Sequence, residues 1–393
     1  MSTAKDIFKK HQAQTFPFPS CLEVESAKGS YITDVNGKAY LDFVAGVSSC
    51  TLGHSNPIIT GAIKEQLDKY THVMVYGEYV QSPQYKLAQL LAENLPESLS
   101  CTYFTNSGAE AIEGAMKLVK RATERSEIIS CKNAYHGSTQ GALSIMGNEE
   151  YKAKYRPLLP NCNQIIYNDE SSLKNITKQT AAVVIETIQG ATGFVTPTNN
   201  FLQKVRKKCT KTGTILIFDE IQTCYGRLGT LFGFENYNVI PDILCIAKGM
   251  GAGMPIGAFI ASWDLMNLLT FEPKLGHITT FGGHPINCAA SLACLQHLLT
   301  SNLMKEVERK EQLFRTHLKH PKIKAIRGKG LMLAIEFEDE KLAQTVVEQS
   351  LENGLILFYF LFTKTAVRIT PPITITQEEI IKGCKIIKEI LEA

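Results

Sequence analysis

Between about Gly53 and Ala261 the chain alternates short, continuously apolar runs with longer amphipathic ones. "CTYFTNSG" leads into "AEAIEGAMKLVKRATER"; "RSEIISCKNAYHG" and "AAVVIETIQG" each read as a strand and then a loop; "FLQKVRKKCTKTG" reads as a helix closed by a C′ glycine, Gly213. "TILIFDEIQ" and "DILCIAKGMG" follow as further strands. Short strands without an inside–outside alternation are buried on both faces, and strands of that kind separated by helices predict an α/β unit with a mostly parallel sheet.

The pattern changes at both ends. Upstream, "GSYITDVNGKAYLDF" predicts a hairpin that turns at Asn36-Gly37. Downstream of an Ala- and Leu-rich helix over 286–299, "KAIRGKGLMLAIEFED" reads as an antiparallel hairpin. A helix at about 341–353, the strands "LILFYF" and "AVRITP", and a last helix from about Thr376 complete an α+β unit. The chain therefore divides into an N-terminal segment, 1–50, a large α/β unit, 51–300, and a small C-terminal unit, 301–393.

Composition narrows the function classes. With 44% apolar and 20% charged residues the 393-residue chain can bury a large core, and a net charge of +3 without a basic patch argues against nucleic acid as a partner. No apolar run is long enough to span a bilayer, and the N-terminus lacks the apolar stretch of a secretory signal. Eleven dispersed cysteines with no CxxC pair predict reduced thiols in a cytoplasmic protein. Cys224 and Cys288 read as small buried hydrophobes, and His54, His136 and His284, which lack metal-ligand spacing, as loop or packing residues.

Ligands of open α/β sheets bind beyond the carboxyl ends of the strands. Ser107-Gly108, Tyr135-His136-Gly137, Glu186, Asp219 with Gln222, and Lys248 all fall within or just after apolar runs. "FTNSGAEA" turns a strand into a helix start, where free N–H groups can take an anion, or where Ser and Asn serve as an ordinary cap. Asp219 ends a very apolar strand and needs a partner there, a protonated ring nitrogen or a simple salt bridge. Lys248 is a surface lysine or, held in a dry site, an amine made nucleophilic by burial. An imine-forming lysine and a carboxylate for a pyridinium, on successive strands, are the two protein groups that pyridoxal phosphate needs most. Arg368 in "AVRITPP" either forks onto a carboxylate or sits on an edge strand, as the two prolines would suit.

These stretches together resemble the class III aminotransferases of the ornithine and 4-aminobutyrate type, which use pyridoxal 5'-phosphate. The resemblance runs from "GSYITDVNGKAYLDFVAG" and "LGHSNP" through "FTNSGAEAIEGAMKLVKRAT", "AYHGST", "VIETIQGATG", "IFDEIQTCYGRLG", "CIAKGMGAGMPIGAF" and "TTFGGHPINCAA" to "IRGKGLML" and "VRITPP". It implies fold type I: a large cofactor-binding domain with a mainly parallel seven-stranded sheet, and a small C-terminal domain. It implies that Lys248 carries the cofactor as a Schiff base and moves protons, and that Asp219 pairs with the ring nitrogen. Gln222 would meet the phenolic oxygen with Glu186 close by, Tyr135 would stack on the ring, and Ser107, Gly108 and Ala109 would bind the phosphate. Thr280 would reach the phosphate of the other subunit in a homodimer, and Arg368 would take the substrate carboxylate. The reaction implied is ping-pong transfer from an amino acid or ω-amino acid to a 2-oxo acid, 2-oxoglutarate or pyruvate.

Two positions depart from the pattern. Ornithine-type members carry a glutamate after "IQG", where this chain has Ala191, and members that handle glutamate often carry an arginine after "HG", where it has Ser138. Both changes lean away from ornithine, acetylornithine and 4-aminobutyrate, toward a substrate with one carboxylate near the amine or toward a different donor–acceptor pair. Side chains from the N-terminal stretch, such as Val47, would also shape that choice. A racemase or epimerase on the same scaffold is the alternative reading. A nucleotide-binding dehydrogenase fits poorly: "KGMGAGMPIG" is not G-x-G-x-x-G, and Glu272 lacks the strand end that a ribose-binding acid needs.

Overall fold

The computed structural model describes residues 3–74 and 77–393. Its centre is a seven-stranded sheet in the order Cys101–Thr105, Gly257–Ala261, Ile243–Ile246, Ile215–Asp219, Thr180–Glu186, Glu127–Cys131, Cys162–Ile165. All pairings are parallel except those of Gly257–Ala261, which runs antiparallel to both of its neighbours. Successive residues of one strand feed opposite faces. Val183, Ile185, Leu216 and Phe218 join one apolar cluster, while Ala182, Val184 and Ile217 join the other. Each buried Val, Ile, Leu or Phe among them contributes about 1.5–3 kcal/mol by leaving water, which is why these runs carry no polar alternation.

Helices cover both faces. Gly108–Thr123 lays Ile112, Met116 and Val119 on one of them, and Gly114 lets its backbone settle directly on the Phe259 ring. Pro57–Leu67, Ser82–Glu93 and Pro285–Thr300 pack together on the other side. Among the described residues no helix is long and apolar enough to cross a membrane.

The two chain ends build one body. Val24–Lys28, Tyr31–Asp34 and Ala39–Asp42 form an antiparallel meander, and Leu355–Ile356 adds to it in parallel with Ala39–Asp42. The expected hairpin forms: Gly37 takes φ +83°, and the Asp34 carboxylate accepts from the N–H groups of Asn36 and Lys38. A second four-stranded sheet has the order Ala325–Lys329, Met332–Glu336, Ala366–Ile369, Phe358–Tyr359. The Arg368 strand is therefore interior, which overturns the edge-strand alternative; the prolines at 371 and 372 only mark its exit. Arg227, fully buried, donates to the carbonyls of Leu331 and Pro371 and so ties the large α/β layer to this sheet.

One segment is strained. Ala45, Gly46, Val47 and Ser48 all have φ between +50° and +70°. Left-handed geometry at a residue with a Cβ costs on the order of 1–3 kcal/mol. The buried Asp42 holds the segment, accepting from the N–H groups of Val44 and Ala45 at 2.7 and 3.0 Å, and His54 binds its other oxygen at 2.8 Å.

Candidate active site

Glu186 and Asp219 are register partners on adjacent parallel strands, so both carboxylates leave the sheet at the same edge. The next strand ends at Ile246, and Lys248 follows it in a tight turn at φ +45°. Here lies a cavity of about 910 Å³, lined by Ser107, Gly108, Ala109, Tyr135, Glu186, Asp219, Gln222, Lys248 and Arg368 among others. Of the residues expected in the site, only Thr280 is absent from the lining; it is exposed on the 268–284 connection. Glu272 is exposed on the same connection and not at a strand end, which removes the dehydrogenase reading.

Each group has a local cause. Ser107 caps the Gly108–Thr123 helix through its hydroxyl and the Glu110 N–H, leaving the first-turn N–H groups free of intrahelical partners. A Cβ at Gly108 would meet Ile221 at 2.7 Å, so the helix start can come this close only as glycine. Glu186 accepts from the N–H groups of Gly190 (2.8 Å) and Tyr135 (3.3 Å), yet burial, reinforced by the Asp219 charge, pushes its carboxyl up to about 7. The Gln222 amide donates to the Ser48 hydroxyl at 3.1 Å. Burial lowers the Lys248 pKa, Asp219 opposes that shift and Arg368 adds to it. The side chain stays partly accessible because it opens into the cavity. Arg368 donates from Nε to the Tyr359 carbonyl at 3.1 Å and lies 4.9 Å from the Phe360 ring centre, and burial holds its pKa near 10.

His136 does more than the sequence suggested. Its Nδ1 lies 2.7 Å from Asp219 Oδ2, while Asp219 Oδ1 accepts from the Ile221 N–H. Burial alone would favour the neutral imidazole, but the Asp219 bond and charge outweigh it and raise the pKa. The pairing joins positions 136 and 219, too far apart for any local signal. The one hint was a histidine in a strand-to-loop turn on the edge where ligands gather.

The donor set fits pyridoxal phosphate. It offers a helix start with free N–H groups for a phosphate, an oriented buried carboxylate for a ring nitrogen, and a desolvated amine, all on one cavity. Fold and site together define a pyridoxal-phosphate enzyme built on a parallel α/β sheet.

Comparison with known proteins agrees. The profile of the Aminotransferase class-III family matches residues 13–391, and the chain belongs to that family. The acetylornithine aminotransferase of Caldanaerobacter subterraneus subsp. tengcongensis is 38% identical over 376 residues, 93% of each chain. The putrescine aminotransferase of Pectobacterium atrosepticum is 35% identical over 94% of this chain and 82% of its own. Among solved structures, the ornithine aminotransferase of Toxoplasma gondii superposes with a TM-score of 0.91 at 31% identity, covering 100% of this chain and 96% of that one. A second structure of that enzyme is described with partial occupancy of pyridoxal phosphate at its active site. The chain is a pyridoxal-phosphate-dependent aminotransferase.

Proposed function

We propose that both half-reactions of a ping-pong amino transfer run at the Lys248 cavity. The carrying observation is that the desolvated Lys248 amine and the oriented Asp219 carboxylate share one cavity with the helix start at Gly108. Bound there, pyridoxal phosphate supplies the electron sink that makes a proton next to the substrate nitrogen removable. Lys248 would hold the cofactor through its Nζ, and its amine, when free, would take that proton and return it. Asp219, kept in place by His136 and Ile221, would pair with the ring nitrogen. Gln222, with Glu186 beside it, would bind the phenolic oxygen, Tyr135 would pack on the ring, and Ser107, Gly108 and Ala109 would receive the phosphate.

Arg368 takes the substrate carboxylate. With Ala191 where ornithine-type members have an acid, no side chain at that position masks it, and Ser138 offers a hydroxyl rather than a second cation. The named relatives act on acetylornithine, ornithine and putrescine; these two positions favour a donor with a single carboxylate near the amine, and a 2-oxo acid as acceptor. A homodimer completes the site. Thr280 is exposed, as are Leu275, Ile278 and Phe281 beside it, an apolar face suited to a second copy whose phosphate Thr280 would meet. The division into 1–50, 51–300 and 301–393 is favoured by the sheet that joins residues 24–42 to 355–356, and a reducing cytoplasmic setting by eleven free cysteines.

Lys248→Ala tests the assignment. The variant should retain cofactor, be unable to fix it with borohydride at this position, and lose about two to four orders of magnitude in turnover. Turnover close to that of the parent would remove Lys248 from its role.

A further inference from the structure

Part of the cavity wall is built by one segment of the C-terminal unit, residues 357–364, which comprises the short strand Phe358–Tyr359 and the turn after it. Two clasps fasten it to the large α/β layer. The Tyr151 hydroxyl donates to the Leu361 carbonyl at 2.8 Å, and the Phe362 N–H donates to the Ala191 carbonyl at 3.0 Å. The Phe362 ring lies 5.0 Å from Tyr151. Phe360 points inward, edge-on to Phe194 at 4.7 Å, and carries the Arg368 guanidinium on its face. Phe358 and Leu361 line the cavity and are left 52% and 39% exposed. Val47, Ile188 and Met254 continue this apolar surface.

The charges of the cavity are already engaged or assigned. Asp219 is bonded to His136, Glu186 receives two backbone N–H groups, and Lys248 belongs to the cofactor. Arg368 is left to take one carboxylate, and nothing among the described lining residues offers a counter-charge to a second substrate charge of either sign. Bulky apolar side chains held in water at the mouth of a site gain from an apolar ligand that covers them.

We propose that the 357–364 segment is the specificity wall of this aminotransferase, and that its preferred donor is an amino acid with one carboxylate and an extended apolar side chain. The carboxylate sits on Arg368 and the side chain against Leu361 and Phe358. This rests on the roles given above to Lys248 and Arg368.

The test is the first half-reaction of the holoenzyme, followed as loss of the visible cofactor band under donor alone. Alanine, 2-aminobutyrate, norvaline and norleucine form one series; ornithine, which matches norleucine in length but ends in an ammonium, and glutamate are the charged comparators. The second-order rate constant should rise about fourfold per methylene along the series, the worth of one buried CH₂. Norleucine should exceed ornithine and glutamate by about tenfold or more, since neither charge is matched in the cavity. Leu361→Ser should flatten the slope of the series, and Tyr151→Phe, which frees the Leu361 carbonyl, should reduce it. Ornithine or glutamate reacting fastest, or a flat series in the parent enzyme, overturns the proposal and leaves the roles of Lys248 and Arg368 standing. So does a Leu361→Ser variant whose oligomeric state changes while its slope does not, which would give this face to a partner. Failure of every donor, charged or apolar, overturns the Lys248 and Arg368 assignments and this proposal with them.

Discussion

Arg368→Met replaces a guanidinium by an apolar chain of similar reach. Arg368 is 7% exposed, its Nε is tied to the Tyr359 carbonyl and its face to Phe360, so the terminal nitrogens remain for a substrate carboxylate. Removing one partner of a buried, hydrogen-bonded charge pair costs about 2–5 kcal/mol. In kcat/KM that is roughly thirtyfold to a few thousandfold. The folded protein meanwhile gives up one hydrogen bond and one ring contact while shedding a cation that burial already disfavours, so its thermal midpoint should move by only a few degrees. The assay is the half-reaction rate with alanine and norvaline, set beside the visible cofactor band as a control that the site is still loaded. A loss under about fivefold refutes the reasoning, because a pair worth so little would not be a buried charge pair. Loss of the cofactor band would instead show that Arg368 holds the site together.

His136→Phe puts an apolar ring where the donor to Asp219 stood; the buried, unpartnered Nε2 disappears, but the buried Asp219 carboxylate keeps only the Ile221 N–H, so the apoprotein should lose about 2–4 kcal/mol of stability. Cofactor affinity should fall about tenfold, the worth of one hydrogen bond to a charged group, and an equilibrium titration within twofold of the parent would refute the positioning role. His54→Gln probes the brace under the strained 45–48 segment. The Asp42 bond, with a smaller contribution from Cys50, raises the His54 pKa to about 10 from 6.5. The stabilisation is therefore complete below pH 6.5 and is lost as pH rises through about 10. The parent should exceed the variant by about 2 kcal/mol at pH 6 in denaturant titrations, with the gap closing by pH 10; a gap independent of pH would refute the linkage.

The sheet was legible because its strands are apolar on both faces, and Asp219 and Lys248 because each interrupts or ends such a run. Arg368 was ambiguous because "LILFYF" reads as one strand, whereas it divides into Leu355–Ile356, which joins the N-terminal meander, and Phe358–Tyr359, which flanks the Arg368 strand. The His136–Asp219 pair was hidden by separation along the chain, and its geometry depends on how two loops leave the sheet. The backbone at 45–48 was equally silent. Nothing in "VAGVSS" beyond Gly46 invites left-handed residues; they exist because Asp42 and His54 hold them there. Local pattern reports burial, while the substrate side of the cavity is made by segments that meet only after folding.

The parallel ribbon between Ala39–Asp42 and Leu355–Ile356 has a consequence for synthesis. Thr370 also donates its N–H to Phe43 and its hydroxyl to Val44, the residues that lead into Val47. Ala39–Asp42 thus leaves the ribosome long before the strand it pairs with. Until residue 370 is out, the α/β layer can form around Lys248 and Asp219, but Val47 and Arg368 have no fixed place beside it. On the roles proposed for Lys248 and Arg368, cofactor chemistry and substrate choice are completed at different moments in the life of the chain, and a nascent chain stalled before Ala366–Ile369 would present the lysine with no fixed wall to select what reaches it.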